Sequence, residues 1–315
     1  MMRWLISILL LVLIALSAAI LFRDTLLLQV ATIAGGAPPP LLPATTELPQ
    51  TRWHDDYFTI DALAPGTFAI GEPRYPQQNY SYLLLGSQRA LLFDAGPGLR
   101  DIRAVVATLT ELPVLFLPSH FHYDHVGNGL DFAQRAVVDL PHLRARAQGN
   151  RLSLTALEHL GSAEGFEVPS WEVDEWLAPG TSVDLGGRRV RVLHTPGHSK
   201  ESISVFDERS NLLFTGDFVY EGDLYAFTPG ASLKDYLEGA RTLLEDTARP
   251  TAYYGAHRAQ PPGPPRLERE DLLVLQQVLE QIRSGALRGE GLWPVRYPVN
   301  ERMSLLAEPA LLQDW

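Results

Sequence analysis

The chain contains no cysteine, and of its 26 basic residues only Lys200 and Lys234 are lysine. Without cysteine there are no disulfides and no thiolate metal ligands, and the composition fits any redox compartment. The formal net charge is −11 and no Lys/Arg-rich run occurs. That balance argues against a nucleic-acid partner, because phosphate contacts need clustered positive charge. Two catalytic signatures are also missing: Gly-x-Ser-x-Gly for a serine nucleophile, and His-Glu-x-x-His for a helical zinc protease. With 46% hydrophobic residues over 315 positions, the chain can build one full-sized core and little more.

What is present is concentrated in Ser119-His-Phe-His-Tyr-Asp-His-Val-Gly-Asn128. His120, His122, Asp124 and His125 place three imidazoles and a carboxylate within six positions, and these are first-row metal ligands when thiolate is absent. Histidines at i and i+2 splay apart on a helix but converge from a loop that follows a strand. The preceding Pro113-Val-Leu-Phe-Leu-Pro118 has the pattern of a short buried strand. The arrangement recurs. Val190–His194 leads into Thr195-Pro-Gly-His198, Leu212–Thr215 into Gly216-Asp217, and Thr251–Tyr254 into Gly255-Ala-His257. Layered α/β domains collect function at such strand ends. Taken singly, His198 reads equally as a loop histidine, Asp217 as a turn residue and His257 as a surface residue. Taken together they supply seven ligands, enough for two metal ions.

The series His-x-His-x-Asp-His, Thr-Pro-Gly-His, Thr-Gly-Asp and Gly-Ala-His resembles the metallo-β-lactamase fold superfamily. The similarity runs over about residues 57–258 and includes Leu91-Leu-Phe-Asp-Ala-Gly-Pro-Gly98. The resemblance implies that His120, His122 and His198 hold one metal, Asp124, His125 and His257 the other, and that Asp217 bridges them. It makes Asp94 a residue that fixes the ligand loop from outside, with a plain turn residue as the alternative. The implied cofactor is a pair of divalent ions, zinc first, with iron or manganese as alternatives. The implied fold is α/β: a four-layer αβ/βα sandwich of two mixed β-sheets flanked by helices.

A bound metal lowers the pKa of water from about 15.7 to about 7, so the expected reaction is hydrolysis by a metal-bridging hydroxide. The bond attacked is an ester, thioester, lactone or related bond of a small molecule. Asp124 is the catalytic residue, orienting the hydroxide as well as ligating. Tyr123, Tyr220 and Tyr225 are candidate substrate contacts, with ordinary aromatic packing as the alternative. His194 reads as a packed loop histidine; His54, His142 and His159 lie outside every motif and are expected to be exposed. The ligand set is similar to that of glyoxalase II, although the basic C-terminal grip of that family is matched only in part. Two other readings stay open: an oxidoreductase resembling the single-iron persulfide dioxygenases, and a non-catalytic membrane-tethered binding module.

Along the chain, four segments are expected. Residues 1–23 form a membrane anchor or signal segment, because Trp4–Phe22 is uncharged and long enough to span a bilayer as a transmembrane helix. Arg3 before it places the catalytic domain on the non-cytoplasmic side, periplasmic in a bacterium, with secretion after cleavage near Ser17-Ala-Ala19 as the alternative. Residues 24–51 read as a Pro-rich linker, 52–260 as the catalytic domain, and 261–315 as a C-terminal helical extension packed on it. Strands are expected over 57–70, 80–85 and 90–94. Helices are expected at Arg100–Leu109, from Ser232 onward, and at Leu267–Ile282.

Overall fold

The structure, a computed structural model, describes Trp4, residues 20–247 and residues 252–315. Among the described elements, helix α1 (Arg23–Ala34) comes first. Strands β1 (Arg52–Trp53), β2 (Thr59–Ala64), β3 (Thr67–Gly71), β4 (Tyr80–Leu85) and β5 (Ala90–Phe93) then run as an antiparallel meander. Pro65-Gly66 makes the β2–β3 turn, with Gly66 at φ +70°. Helix α2 (Ile102–Ala107) carries the chain across to β6 (Val114–Leu117), which pairs in parallel with β5. β7 (Gln134–Val138) and, after an excursion through shorter elements, β10 (Glu175–Leu177) extend this eight-stranded mixed sheet in parallel. The excursion holds helices α4 (Pro141–Arg146) and α5 (Ala156–His159), and the hairpin of β8 (Arg151–Ser153) and β9 (Ser170–Glu172). Helix α3 (Tyr123–Val126) is a single turn between β6 and β7.

The second sheet has six strands: β11 (Ser182–Asp184), β12 (Arg189–His194), β13 (Ile203–Asp207), β14 (Leu212–Gly216), β16 (Ala252–Gly255) and β17 (Arg266–Leu267). Its pairs are antiparallel except β14 with β16. Alternation decides its faces. Val190, Val192, Val205, Phe214 and Tyr254 join the core shared with the first sheet. Leu193, Phe206, Leu213 and Tyr253 point the other way, toward α6 (Leu233–Asp246) and α7 (Arg269–Arg283). Across the seam, the Tyr82 ring lies 4.6 Å from Phe214 and 6.1 Å from Tyr254, so the two sheets pack face to face. Helix α6 begins where its sequence requires: the Ser232 hydroxyl accepts from the Asp235 N–H at 3.0 Å, a cap worth about 1 kcal/mol. A small third sheet combines β15 (Gly222–Ala226), β18 (Val295–Pro298) and β19 (Met303–Ala307).

One buried ion pair fastens the sheets. Arg188, just before β12, donates to Asp207 at 2.6 Å, to the Gly66 carbonyl at 2.7 Å and to the Leu85 carbonyl at 3.1 Å. Both charged groups are shielded from water, and every strong donor has an acceptor, the condition under which a buried pair is tolerated.

An α/β fold with mixed sheets is thus what these residues form, but the N-terminal transmembrane helix is corrected. Residues 1–3 and 5–19 lie outside the described part, and with them most of Trp4–Phe22. Among the described residues no helix is long and apolar enough to cross a membrane. Helix α1 has 12 residues, a length of about 18 Å against a hydrocarbon core of about 30 Å, and it opens on Arg23 and Asp24. The membrane anchor, and the non-cytoplasmic placement built upon it, are therefore not supported. Nor does α1 hang free: the Thr32 hydroxyl donates to Ser162 at 3.1 Å and the Gly36 N–H to the Ala163 carbonyl at 2.9 Å. Further on, Glu47 is buried against Arg258 at 2.7 Å. Beyond residue 260 the chain adds strands β17, β18 and β19 as well as helix α7.

Candidate metal centre

The ligand loops leave their strands at one edge of the two facing sheets. β6 ends at Leu117, and Ser119 and His120 follow; His122 caps α3, whose single turn carries Asp124 and His125. From the second sheet come His198 after β12, Asp217 after β14 and His257 after β16. β14 and β16 lie side by side with Gly216 opposite Gly255, so Asp217 and His257 emerge together. Gly216 has φ +52°, and a Cβ there would sit 2.5 Å from the Ser119 side chain. Only glycine allows the two loops to approach this closely.

The side chains converge in two groups. Ligand atoms of His120, His122, His198 and Asp217 lie within 4.8 Å of one another, as do those of Asp124, His125 and His257. Asp217 faces both: Oδ2 is 3.5 Å from His198 Nε2, and Oδ1 is 3.1 Å from His257 Nε2 and 3.4 Å from His125 Nε2. The rings are oriented from outside. His198 Nδ1 donates to the Tyr225 carbonyl at 2.8 Å, His257 Nδ1 to the Gln77 carbonyl at 2.9 Å, and His125 Nδ1 to Asp94 Oδ2 at 2.9 Å. In each the proton is held on the outer nitrogen, so the Nε2 lone pair points inward, the arrangement of metal-binding histidines. Asp94, at φ +66°, also accepts from the Ser119 N–H at 2.6 Å. Asn79 donates to both the carboxylate and the carbonyl of Asp124 at 3.0 Å.

This donor set fits a cation. His120 Nε2, His125 Nε2 and Asp217 Oδ1 are buried and have no hydrogen-bond partner within the protein. Such atoms are costly to bury unless something meets them. Burial pushes His122 down to about 3, helped by the unfavourable closeness of the His198 ring; burial likewise lowers His120 and His198. These three are therefore held toward the neutral form, and His198 Nε2 and His122 Nδ1 face one another at 3.0 Å. The second group is balanced differently. Burial lowers His125 and His257, but the carboxylates of Asp124 and Asp217 outweigh it and raise both. Burial raises Asp124 and Asp217, and the facing imidazoles more than reverse it. A metal entering this group competes with protons.

A pocket of about 480 Å³ opens over the cluster, lined by Tyr123, Tyr220 and Tyr225 together with His122, Asp124, His198, Asp217 and His257. The Tyr123 hydroxyl donates to Glu164 at 2.6 Å, and the Tyr75 hydroxyl donates to the same carboxylate. Tyr220 donates to the Asp223 carbonyl at 2.5 Å. His194 donates to the Lys200 carbonyl at 2.8 Å and stands apart from the ligands. His142 is exposed and His54 partly so, but His159 is buried, 3% exposed, beneath Tyr123. The expectation for His159 is corrected: it sits on a four-residue helix too short to show any periodicity. Asn79, Gln77 and Glu164 carried no motif. Each reaches the centre across a long sequence separation, and Gln77 does so through its backbone.

Two facing mixed sheets with an inward His/Asp cluster at their strand ends define a metallo-hydrolase. The chain belongs to the metallo-β-lactamase superfamily, whose family model matches residues 74–272. It is similar to the acyl-coenzyme A thioesterase MBLAC2 of Gallus gallus, 31% identical over 211 residues, covering 60% of this chain and 76% of that protein. It is also similar to a probable metallo-hydrolase, YqgX, of Bacillus subtilis (strain 168), 28% identical over 152 residues, covering 48% and 71%. A hydroxyacylglutathione hydrolase of Synechococcus sp. is 27% identical over 187 residues, covering 58% and 64%. Among solved structures, a metallo-β-lactamase from Pontibacter korlensis superposes with a TM-score of 0.53 at 18% identity, covering 71% of this chain and 99% of the other. That likeness is one of fold.

Proposed function

We propose that this metallo-hydrolase holds two metal ions and cleaves a thioester, or a closely related ester-type bond, of a small molecule. The observation that carries it is Asp217, which presents one oxygen toward His198 and the other toward His125 and His257. On this reading His120, His122 and His198 hold one ion, Asp124, His125 and His257 the second, and Asp217 serves both. Zinc suits the imidazole and carboxylate donors, with iron or manganese as alternatives. Bound there, such ions supply water of near-neutral pKa and polarise a carbonyl oxygen. Asp124, kept ionised and fixed by Asn79, accepts a hydrogen bond from the attacking water and orients it. Tyr123, Tyr220 and Tyr225 wall the pocket around the substrate. In the reaction a C–O bond forms at the carbonyl carbon and the C–S bond breaks. The products are a carboxylate, a thiol and one released proton. Thioesters are favoured over lactones and phosphodiesters because relatives include an acyl-coenzyme A thioesterase, and no basic cluster for a phosphodiester is built around the ligands. We further propose residues 52–260 as the catalytic domain, with residues 261–315 packed upon it.

The test is metal content and thioester hydrolysis in the purified chain and in Asp124→Asn. About two ions per chain, turnover of thioesters, and loss of turnover with a retained fold in the variant are expected. A folded chain that takes up no metal, or full activity in Asp124→Asn, overturns the reading. One tightly held iron per chain with no hydrolysis shifts it to oxygen chemistry.

A further inference from the structure

We propose that the cleft between helix α1 and the metal pocket receives the acyl chain of the substrate, so that the preferred thioester is that of a medium- or long-chain acid. This rests on the thioester reading above and adds a binding site to it. The cleft holds about 230 Å³ and is walled by Leu27, Leu28 and Ala31 of α1, by Ala163, and by Phe227 and Trp293. At about 30 Å³ per small group, that volume takes roughly eight methylenes. It adjoins the metal pocket, because Leu160 and Thr228 line both. An unbroken series of rings joins the two: Tyr225 meets Phe227 edge to face at 5.4 Å, and Phe227 meets Trp293 in the same way at 5.4 Å. Tyr225 lines the metal pocket and its carbonyl orients His198, whereas Phe227 and Trp293 line the cleft.

The division of chemistry is what identifies the occupant. The metal side offers carboxylates and imidazoles, suited to a carbonyl head. The cleft offers Asp24 and Thr228 as its only polar side chains among the described lining residues. Leu27 and Trp293 remain 45% and 46% exposed, an apolar surface that gains from being covered. Helix α1 and Trp293 also lie outside residues 74–272. The cleft is thus added by this chain's own flanking segments to the part that matches the family. A chain entering from Leu160 would lie along the rings with its carbonyl left over the metal cluster.

The experiment uses the full chain loaded with metal and saturated thioesters of one small thiol, from acetyl to hexadecanoyl. The value of kcat/KM should rise about three- to fourfold per methylene over roughly eight carbons and then level off. Ala31→Trp, on an exposed helix face, should fill the cleft and lower the dodecanoyl value about tenfold or more while leaving acetyl hydrolysis unchanged. Binding is read separately, by quenching of tryptophan fluorescence with dodecanoate brominated at its far carbon. The quenching should weaken in Trp293→Phe. Hydrolysis with a flat chain-length profile overturns the cleft and leaves the function standing. Quenching at Trp293 without hydrolysis of any thioester supports the cleft and overturns the function. Neither signal, or a dimer in sedimentation that buries Trp293, overturns the acyl-chain site.

Discussion

Replacing Asp94 with asparagine changes one atom at the edge of the metal centre, and its effect follows from where protons must go. Asp94 accepts from the Ser119 N–H through Oδ1 and from His125 Nδ1–H through Oδ2. An amide can satisfy only one of these donors. If its NH2 group faces His125, the imidazole proton must move to Nε2, the nitrogen that points at Asp124 and Asp217. If it faces Ser119 instead, two donors confront one another in a buried site. Either way one charge-assisted hydrogen bond is lost, worth about 1.5–3 kcal/mol: the first orientation compromises the His125 lone pair, and the second pushes away the Ser119 turn that leads into His120. The expected result is zinc affinity weakened about 10- to 100-fold. Competition with a chromogenic chelator measures it, and circular dichroism of the metal-free proteins checks that the fold is retained. Wild-type affinity in Asp94→Asn would refute the argument, since it would mean that the centre does not need one carboxylate to hold both the Ser119 N–H and the His125 ring.

Arg188→Leu should cost about 3–5 kcal/mol in urea unfolding, because Asp207 would be left charged and unpaired in the core; a loss below 1 kcal/mol contradicts this. Glu47 is depressed from 4.5 to about 2: burial raises it, but hydrogen bonds from Arg258 and the Gly263 N–H more than compensate. Its contribution to stability is complete above about pH 4.5 and disappears as pH falls toward 2, so Glu47→Gln should flatten the acid limb of the stability curve in that window. An unaltered acid limb in that variant would show that the pair is not a source of acid sensitivity. Gly216→Ala should lower Tm and zinc occupancy together, since its Cβ would meet Ser119 at 2.5 Å in a left-handed backbone conformation. A normal Tm with normal zinc content would show that the loops can part without loss.

The seven converging side chains were legible because each follows a strand-like run and a turn residue. The strand fixes direction, and the turn places the ligand just past the edge. Helix α6 was legible for a similar reason, with a Ser232 cap and Leu233, Tyr236, Leu237 and Ala240 in register. What orients the ligands was not. His257 is held by a backbone carbonyl 180 positions earlier, and Asp124 by an asparagine 45 positions away. A carbonyl has no residue-type signal, and a lone asparagine resembles any turn residue. Helix α1 was hidden for a different reason. The apolar run read as a span was Trp4–Phe22, and residues 24–51 read as a Pro-rich linker; the contact of α1 with residues 162 and 163 appears only in three dimensions. Strands β18 and β19 were hidden behind the stronger periodicity of α7.

The ligands do not all belong to one side of the molecule. His120, His122, Asp124 and His125 hang from the first sheet, whereas His198, Asp217 and His257 hang from the second. An ion held between the two groups would therefore act as a rivet through the seam, and the stability of the folded state would follow free metal. At a metal concentration of 100 times Kd, linkage adds about 2.7 kcal/mol to folding for each ion, a sizeable share of the stability of an ordinary domain. In a metal-poor environment the same chain would be more easily opened along that seam, and so more readily cleared by proteolysis. Abundance of this protein would then follow metal supply before its catalytic rate did.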